Sequence, residues 1–236
     1  MADPDTPVPP ILENIKQTIV PEFNAKFSGI KIDYQGQAKR SNEAMAEIMK
    51  FFTIAFIFIV LILILHFKSV WQALIVLMMI PLGWLGAVWG HGIEGHAVSM
   101  LSAWGMVALS GVIINDAVVF LSKYNSLLLE GMKVKEAVFE AGLKRFRPIV
   151  LTTITTAGGL YPIIMENSFQ AQMLIPMAIA LAYGVLVGTA FILMFFPVLI
   201  LCLNDIKVAL KNLWTGVKPQ PEEVEKSIIH SKISID

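Results

Sequence analysis

The stretch FFTIAFIFIVLILILHF, residues 51–67, decides the class of this protein. It contains no Asp, Glu, Lys or Arg, and a helix needs roughly 20 predominantly apolar residues to cross a bilayer. The whole 236-residue chain agrees, since 56% of its residues are hydrophobic, 15% are charged and the mean hydropathy is +0.70. A soluble domain with so few charges would lack polar side chains for its surface. The sequence therefore predicts an integral membrane protein that is all-α within the bilayer.

Four more apolar stretches follow the first, which makes five predicted transmembrane helices. A helix that begins at residue 41 enters the first span, and the predicted segments are 41–67, 70–90, 97–121, 148–165 and 173–203. Before the fourth span, residues 130–147 carry a stripe of apolar side chains, which predicts an amphipathic helix on the cytoplasmic membrane surface. The polar segment after Trp214 is predicted to be poorly ordered.

Lys and Arg residues predict the orientation, because cytoplasmic loops carry the excess of positive charge. The region between the third and fourth spans holds Lys123, Lys133, Lys135, Lys144, Arg145 and Arg147. By contrast, the loops at 91–96 and 166–172 hold neither Lys nor Arg. We therefore expect residues 1–50 outside the cytoplasm and the tail, 204–236, inside it.

The segment before the first span has a different character. Residues 11–27 predict an amphipathic helix, and residues 29–37 (GIKIDYQGQ) alternate apolar and polar side chains like a short strand. A strand needs a sheet to join, and the sequence predicts no other strand. Residues 1–40 are therefore expected to be a short αβ remnant of a larger outer domain.

Asp116 is the residue with the strongest functional signal, because an acid within a span costs at least about 2.5 kcal/mol and usually faces a cavity or a partner. The alternative is that Asp116 lies near the cytoplasmic headgroups. Asn115 points about 100° away from it on a helix. Thr152, with Thr155 and Thr156 on the same face, could relay hydrogen bonds or pack against another helix. Arg145 could pair with an acid or anchor its helix to lipid phosphates.

The remaining features predict architecture. Gly86 with Gly90, and Gly184 with Gly188, have the four-residue spacing that allows close helix packing. An intramembrane serine protease built on Ser110 is disfavoured because no predicted span offers a histidine base, and we expect no catalytic residue. His91, His96 and Glu94 lack a fourth ligand, so no metal site is expected. The formal net charge of zero argues against nucleic acid as a partner.

Three long strings of this chain resemble the resistance-nodulation-division family of efflux transporters. They are GVIINDAVVF at 111–120, EGMKVKEAVFEAGLKRFRPIVLTTITTAGGLYP at 130–162 and ENSFQAQMLIPMAIALAYG at 166–184. Members of that family are typically twelve-span proteins of the bacterial inner membrane, made of two repeated halves. They work as proton-driven homotrimers with a periplasmic adaptor and an outer-membrane channel. The resemblance implies that this chain is the C-terminal membrane portion of such a pump, without the N-terminal half and the drug pocket, and inactive alone.

The resemblance also implies roles for single residues. Asn115 matches a position that is lysine in the best-known drug pumps, and Asp116 follows it as in a related hydrophobe/amphiphile, AcrB-like branch. Thr152 matches a relay threonine, and Arg145 matches a basic residue at the cytoplasmic edge. The implied proton relay is therefore Asp116, Asn115, Thr152 and Arg145, driven by the proton gradient without a cofactor and used for multidrug export. Residues 1–40 would be a periplasmic remnant of the porter domain.

A function of a different class also fits the sequence. Five helices could also form a stand-alone membrane scaffold or accessory protein that oligomerises through its glycine faces. Proton-flux assays on the isolated chain in liposomes separate the two hypotheses. The pump hypothesis predicts no coupled transport without the missing half.

Overall fold

The structure is a computed structural model, and it describes residues 14–21, 23, 37–215 and 219–225. Helix is the only regular secondary structure in these ranges. The chain divides into two compact units, residues 1–51 and 52–236. Within the described ranges we number six α-helices in chain order: α1 (Gln37–Phe67), α2 (Val70–Leu77), α3 (Met79–Glu94), α4 (Met100–Leu129), α5 (Val134–Ile164) and α6 (Phe169–Thr215).

The outer remnant predicted for residues 1–40 is described in part. Ile15–Ile19 form a π-helical turn within the predicted amphipathic helix, and Thr18 Oγ1 donates a hydrogen bond of 2.9 Å to Asn14 Oδ1. Of the predicted strand at 29–37, only Gln37 lies within the described residues, and it begins α1. The αβ character of the remnant therefore stays a prediction.

Among the described residues, four helical segments are long and apolar enough to cross a membrane. They are Glu43–Phe67, Val70–Glu94, Met100–Leu129 and Gln170–Trp214. The predicted fourth span, 148–165, is not among them. The prediction of an all-α protein is confirmed for the described residues, whereas the count of five spans stays a prediction.

The helix boundaries differ from the predicted ones in physically simple ways. The second span is divided at Met78, because Pro81 in the first turn of α3 lacks the N–H that would bond to the carbonyl of Leu77. The predicted interfacial helix and fourth span form the single helix α5, which runs through Pro148 without a break. The fifth span lies within the 47-residue helix α6.

Helix α6 lies at the centre of the second unit and packs against α3, α4 and α5. The core between these helices contains Phe120, Tyr124 and Phe196, which are fully buried. The rings of Phe120 and Phe196 meet edge to face at 5.5 Å between centroids, a favoured geometry for an aromatic pair. Helix α1 contributes little to this core, since only Leu63 and Phe67 are buried along its described part.

Candidate functional site

Asp116 and Asn115 lie in the middle of α4 and face different surroundings. The Asp116 side chain is only 8% exposed, whereas Asn115 is exposed. Among the described residues, the Asp116 carboxylate makes no hydrogen bond and no ion pair with another side chain. Burying an acid without a partner disfavours its ionised form. Asp116 therefore occupies a position in which gaining or losing a proton changes its interaction with its surroundings.

Thr152 and Thr153 are neighbours on α5 with different contacts. Thr152 is exposed, and its hydroxyl donates to the carbonyl of Ile149 at 2.8 Å. Thr153 is 5% exposed, and its Oγ1 lies 2.6 Å from Oγ1 of Thr189 on α6. The implied relay residue thus faces outward from the described helices, and the neighbouring hydroxyl joins α5 to α6.

Arg145 lies two turns before Thr152 on α5 and is half-buried. Its Nε atom is buried without a hydrogen-bond acceptor among the described residues. No hydrogen bond joins any two of Asp116, Asn115, Thr152 and Arg145 within the described ranges. The structure therefore places the four residues on α4 and α5 but does not connect them directly.

The predicted glycine pairs lie where α6 closely approaches α3 and α4. A Cβ atom at Gly86 would meet Val187 Cβ at 2.5 Å, and one at Gly90 would meet Tyr183 Cβ at the same distance. On α6, a Cβ at Gly184 would overlap the side chain of Leu109 of α4. The fourth glycine, Gly188, is less tightly packed, since a Cβ there would lie 3.1 Å from Ile113 Cδ1.

Two further glycines, outside the predicted four-residue pairs, also lie at close approaches. A Cβ at Gly83 would overlap Cδ1 of Ile113. A Cβ at Gly105 would lie 2.8 Å from the backbone oxygen of Met177 and 3.0 Å from Ala180 Cβ. Gly83 precedes Gly86 by three residues on the same helix face, so helical periodicity could have identified it. These contacts set the position of α4, and with it the position of Asp116.

Polar side chains whose pairing was not predicted from the sequence hold α4 at three levels. Near its C-terminal end, the amides of Gln72 and Asn125 exchange two hydrogen bonds of 3.0 and 3.1 Å. In its first half, the indole N–H of Trp84 donates to Ser110 Oγ at 3.0 Å. At its start, a ring nitrogen of His91 lies 2.7 Å from Oγ of Ser102, and the other lies 2.8 Å from a carbonyl oxygen of α3. Both ring nitrogens of His91 are thereby engaged within the helix bundle.

The sequence profile of the AcrB/AcrD/AcrF family matches residues 12–204. The cobalt-zinc-cadmium resistance protein CzcA of Cupriavidus metallidurans is 27% identical over 189 residues, which are 77% of this chain and 18% of that protein. The swarming motility protein SwrC of Bacillus subtilis is 25% identical over 170 residues, or 72% of this chain and 16% of that protein. The chain thus spans less than a fifth of the length of either relative.

The crystal structures of a heavy metal efflux pump have the same fold over most of this chain. Crystal form II superposes with a TM-score of 0.72 at 24% identity and covers 85% of this chain and 20% of the pump chain. Crystal form I superposes with a TM-score of 0.66 at 23% identity. At this level of identity, the likeness shows the fold alone. The resemblance to a family of efflux transporters, drawn from the three sequence strings, is confirmed at the level of the family.

Proposed function

The chain belongs to the AcrB/AcrD/AcrF family, and on that premise we propose that it is the C-terminal membrane portion of a proton-driven efflux antiporter. Its match to the family over residues 12–204 supports this. It would contribute part of the proton relay and of the trimeric membrane domain, and it would not transport by itself.

The observation that carries the proposal is the buried, unpaired carboxylate of Asp116 in the middle of a candidate span. An ionised acid within the bilayer costs at least about 2.5 kcal/mol, whereas a protonated carboxyl is a neutral hydrogen-bond donor. A proton that binds to Asp116 from one side of the membrane and leaves to the other side would therefore change which groups Asp116 can pack against. Such a change is what couples a proton gradient to a conformational cycle.

The exposed positions on α4 and α5 are where we expect the rest of the pump to bind. Asn115, Thr152 and Thr155 are polar and exposed, although they lie on helices at the depth of the predicted membrane. Polar side chains at that depth are unfavourable against lipid and favourable against a protein partner or a water-filled cavity. The N-terminal half of the pump would supply that partner, including further ionisable groups of the relay.

We propose a bacterial inner-membrane location with residues 1–40 in the periplasm and the C-terminus in the cytoplasm. Residues 148–165, in the second half of α5, would be the fourth of five spans. The complete pump would be a homotrimer that binds a periplasmic adaptor and an outer-membrane channel, with lipid around it. Family membership and the distribution of Lys and Arg support these assignments.

The substrate class has two candidates. The Asn115-Asp116 pair favours the hydrophobe/amphiphile, multidrug branch, as the sequence predicts. Heavy-metal cations are the second candidate, because the CzcA relative is named for resistance to cobalt, zinc and cadmium. Growth of an efflux-deficient host that expresses the complete pump, with drugs in one series and those metal salts in another, distinguishes them.

Asp116→Asn in the complete pump tests the central role of the carboxylate. The substitution keeps the size of the side chain but removes its titration, so proton-coupled export should be abolished. The measurement is substrate-dependent proton flux in everted vesicles together with resistance of the host. Asp205→Asn is the matched control, because Asp205 is an exposed acid on α6 and the variant should retain full activity. Full resistance in the Asp116→Asn pump contradicts the proposal.

A further inference from the structure

A short segment near the C-terminus, residues 219–225, packs against the end of α6 and the start of α5. We call this segment the clasp. Pro221–Val224 form a 3-10 turn, and the Glu223 carboxylate accepts a hydrogen bond of 3.3 Å from the backbone N–H of Gln220. Val224 is 8% exposed. Residues 219–225 therefore depart from the poor order that the polar composition predicts for the tail.

Glu225 attaches the clasp to α6. Its side chain is only 2% exposed, and its two carboxylate oxygens lie 3.0 and 3.1 Å from Nζ of Lys207. Asn204 Nδ2 donates to the same carboxylate at 2.8 Å and to the carbonyl of Pro221 at 2.9 Å. A buried carboxylate is tolerated only when it is paired and hydrogen-bonded, and Glu225 meets both conditions.

Glu222 attaches the clasp to the start of α5. Its Oε1 accepts a hydrogen bond of 3.3 Å from the backbone N–H of Val134, the first residue of that helix. The N-cap residue of α5 is Lys133, whose ammonium group only donates hydrogen bonds and so cannot cap a helix. The first N–H groups of a helix need acceptors, and a negative charge is favourable near them. Glu222 supplies both, from a position 88 residues further along the chain.

We propose that the clasp is a positioning device: Glu225 anchors it to α6, and Glu222 caps α5 from that anchor. The two contacts fix the start of α5 relative to the end of α6, although the two points are far apart in the sequence. Helix α5 also carries Arg145 and Thr152, so the placement of its start influences where those side chains lie. The positioning itself does not depend on the proposed transport function, because it concerns contacts within this chain.

Hydrogen exchange of the full chain in detergent micelles or nanodiscs tests the clasp. Amides in the first turn of α5, Val134 to Ala137, report directly on the cap. Glu225→Gln removes the charge that pairs with Lys207, and the first-turn amides should exchange about tenfold faster, the scale of a lost hydrogen bond to a charged group. Glu222→Ala should accelerate exchange at Val134 by a similar factor. Adding Lys207→Met to Glu225→Gln should cause no further increase, because both substitutions break the same pair.

Glu223→Gln is the matched control. Glu223 is an exposed neighbour whose carboxylate accepts a hydrogen bond from the clasp's own backbone. The same loss of charge there should change exchange in the first turn of α5 by less than about twofold. Equal effects of Glu223→Gln and Glu225→Gln would overturn the proposal. An equal acceleration at Ile113 and Ala117, in the core of α4, would also overturn it, because the substitution would then loosen the whole bundle. Neither outcome bears on Asp116, whose role is tested by proton flux.

Discussion

Two adjacent hydroxyls on α5, those of Thr152 and Thr153, allow a prediction at the scale of single residues. Thr153→Val removes the buried bond to Thr189 and should lower the free energy of unfolding by roughly 1 kcal/mol, as for other polar contacts between membrane helices. Thr152→Val should change it by less than about 0.5 kcal/mol, because an exposed hydroxyl loses only its local bond to Ile149. Reversible unfolding of the chain in mixed micelles measures both.

The same pair separates stability from function in the complete pump. If Thr152 belongs to the relay, Thr152→Val reduces proton-coupled export although the protein remains as stable as before. Thr189→Val serves as the control, since it should destabilise the protein as much as Thr153→Val does. Combining Thr153→Val with Thr189→Val should lower the free energy of unfolding no more than either substitution alone. Loss of stability at Thr152 with unchanged export would contradict the assignment.

Residue surroundings were only partly predictable from the sequence. Helical periodicity predicts that Thr152, Thr155 and Thr156 share one face. In the structure Thr152 and Thr155 are exposed, whereas Thr156 is half-buried. The Thr153–Thr189 bond was not predictable, because it depends on how α5 is rotated about its axis against α6, 36 residues away. For the same reason, periodicity separates Asn115 from Asp116 but does not say which of the two is buried.

At the scale of helices, the close approach of α4 to α6 predicts a strong difference between two glycines of α4. A methyl group at Gly105 would lie 2.8 Å from the Met177 carbonyl oxygen, and backbone cannot move aside as a side-chain end can. Gly105→Ala should therefore destabilise the bundle by about 1–3 kcal/mol, the usual cost of overpacking. A methyl group at Gly111 would meet no atom within 4 Å among the described residues, so Gly111→Ala should be neutral or slightly stabilising.

Thermal unfolding of the two alanine variants in the same detergent measures this difference. Because both glycines lie on one helix and receive the same methyl group, helix propensity contributes equally to each. Equal melting temperatures would mean that α4 and α6 are further apart than the structure shows. A loss of stability confined to Gly111→Ala would contradict the packing altogether.

The existence of the helices was predictable, but their ends were not. The apolar stretch that predicts the third span ends at Leu121, before Lys123. Helix α4 continues to Leu129, because charged residues do not stop a helix outside the bilayer core. Its start is fixed by a capping box between Ser99 and Ser102, a local signal that hydropathy does not detect. Pro148 similarly does not end α5, so the predicted boundary at 147 falls inside one helix.

At the scale of the whole molecule, hydropathy predicts which segments enter the membrane but not how they pack. Lipid tails are as apolar as leucine, so no hydrophobic force selects helix neighbours. Small residues and interhelical hydrogen bonds make that selection, and here they gather α3, α4 and α5 around α6. The contact between the clasp and α5 was unpredictable, because no periodic pattern links Glu222 to Val134.

The packing of α5 on α6 gives a reason to expect that its second half crosses the bilayer. Thr153 bonds to Thr189, and Ile164 lies in a buried cluster with Ile175 and Ile179 of α6. These contacts run along the part of α6 that is itself a candidate span. If the second half of α5 follows α6 through the membrane, the connections before and after α5 lie on opposite sides.

Cysteine labelling in intact cells tests this topology. Cys202 is the only cysteine, so Cys202→Ser gives a background free of thiols, and Lys133→Cys and Ser168→Cys place single thiols at exposed positions on either side of α5. A membrane-impermeant maleimide should label Ser168→Cys from outside, as it should His96→Cys in the predicted outer loop. Lys133→Cys should react only after the membrane is permeabilised, because six Lys and Arg residues predict a cytoplasmic position for its region. If residues 133 and 168 are labelled from the same side, α5 does not cross the membrane. The described helices then form four spans, and one terminus lies on the side opposite to its predicted one.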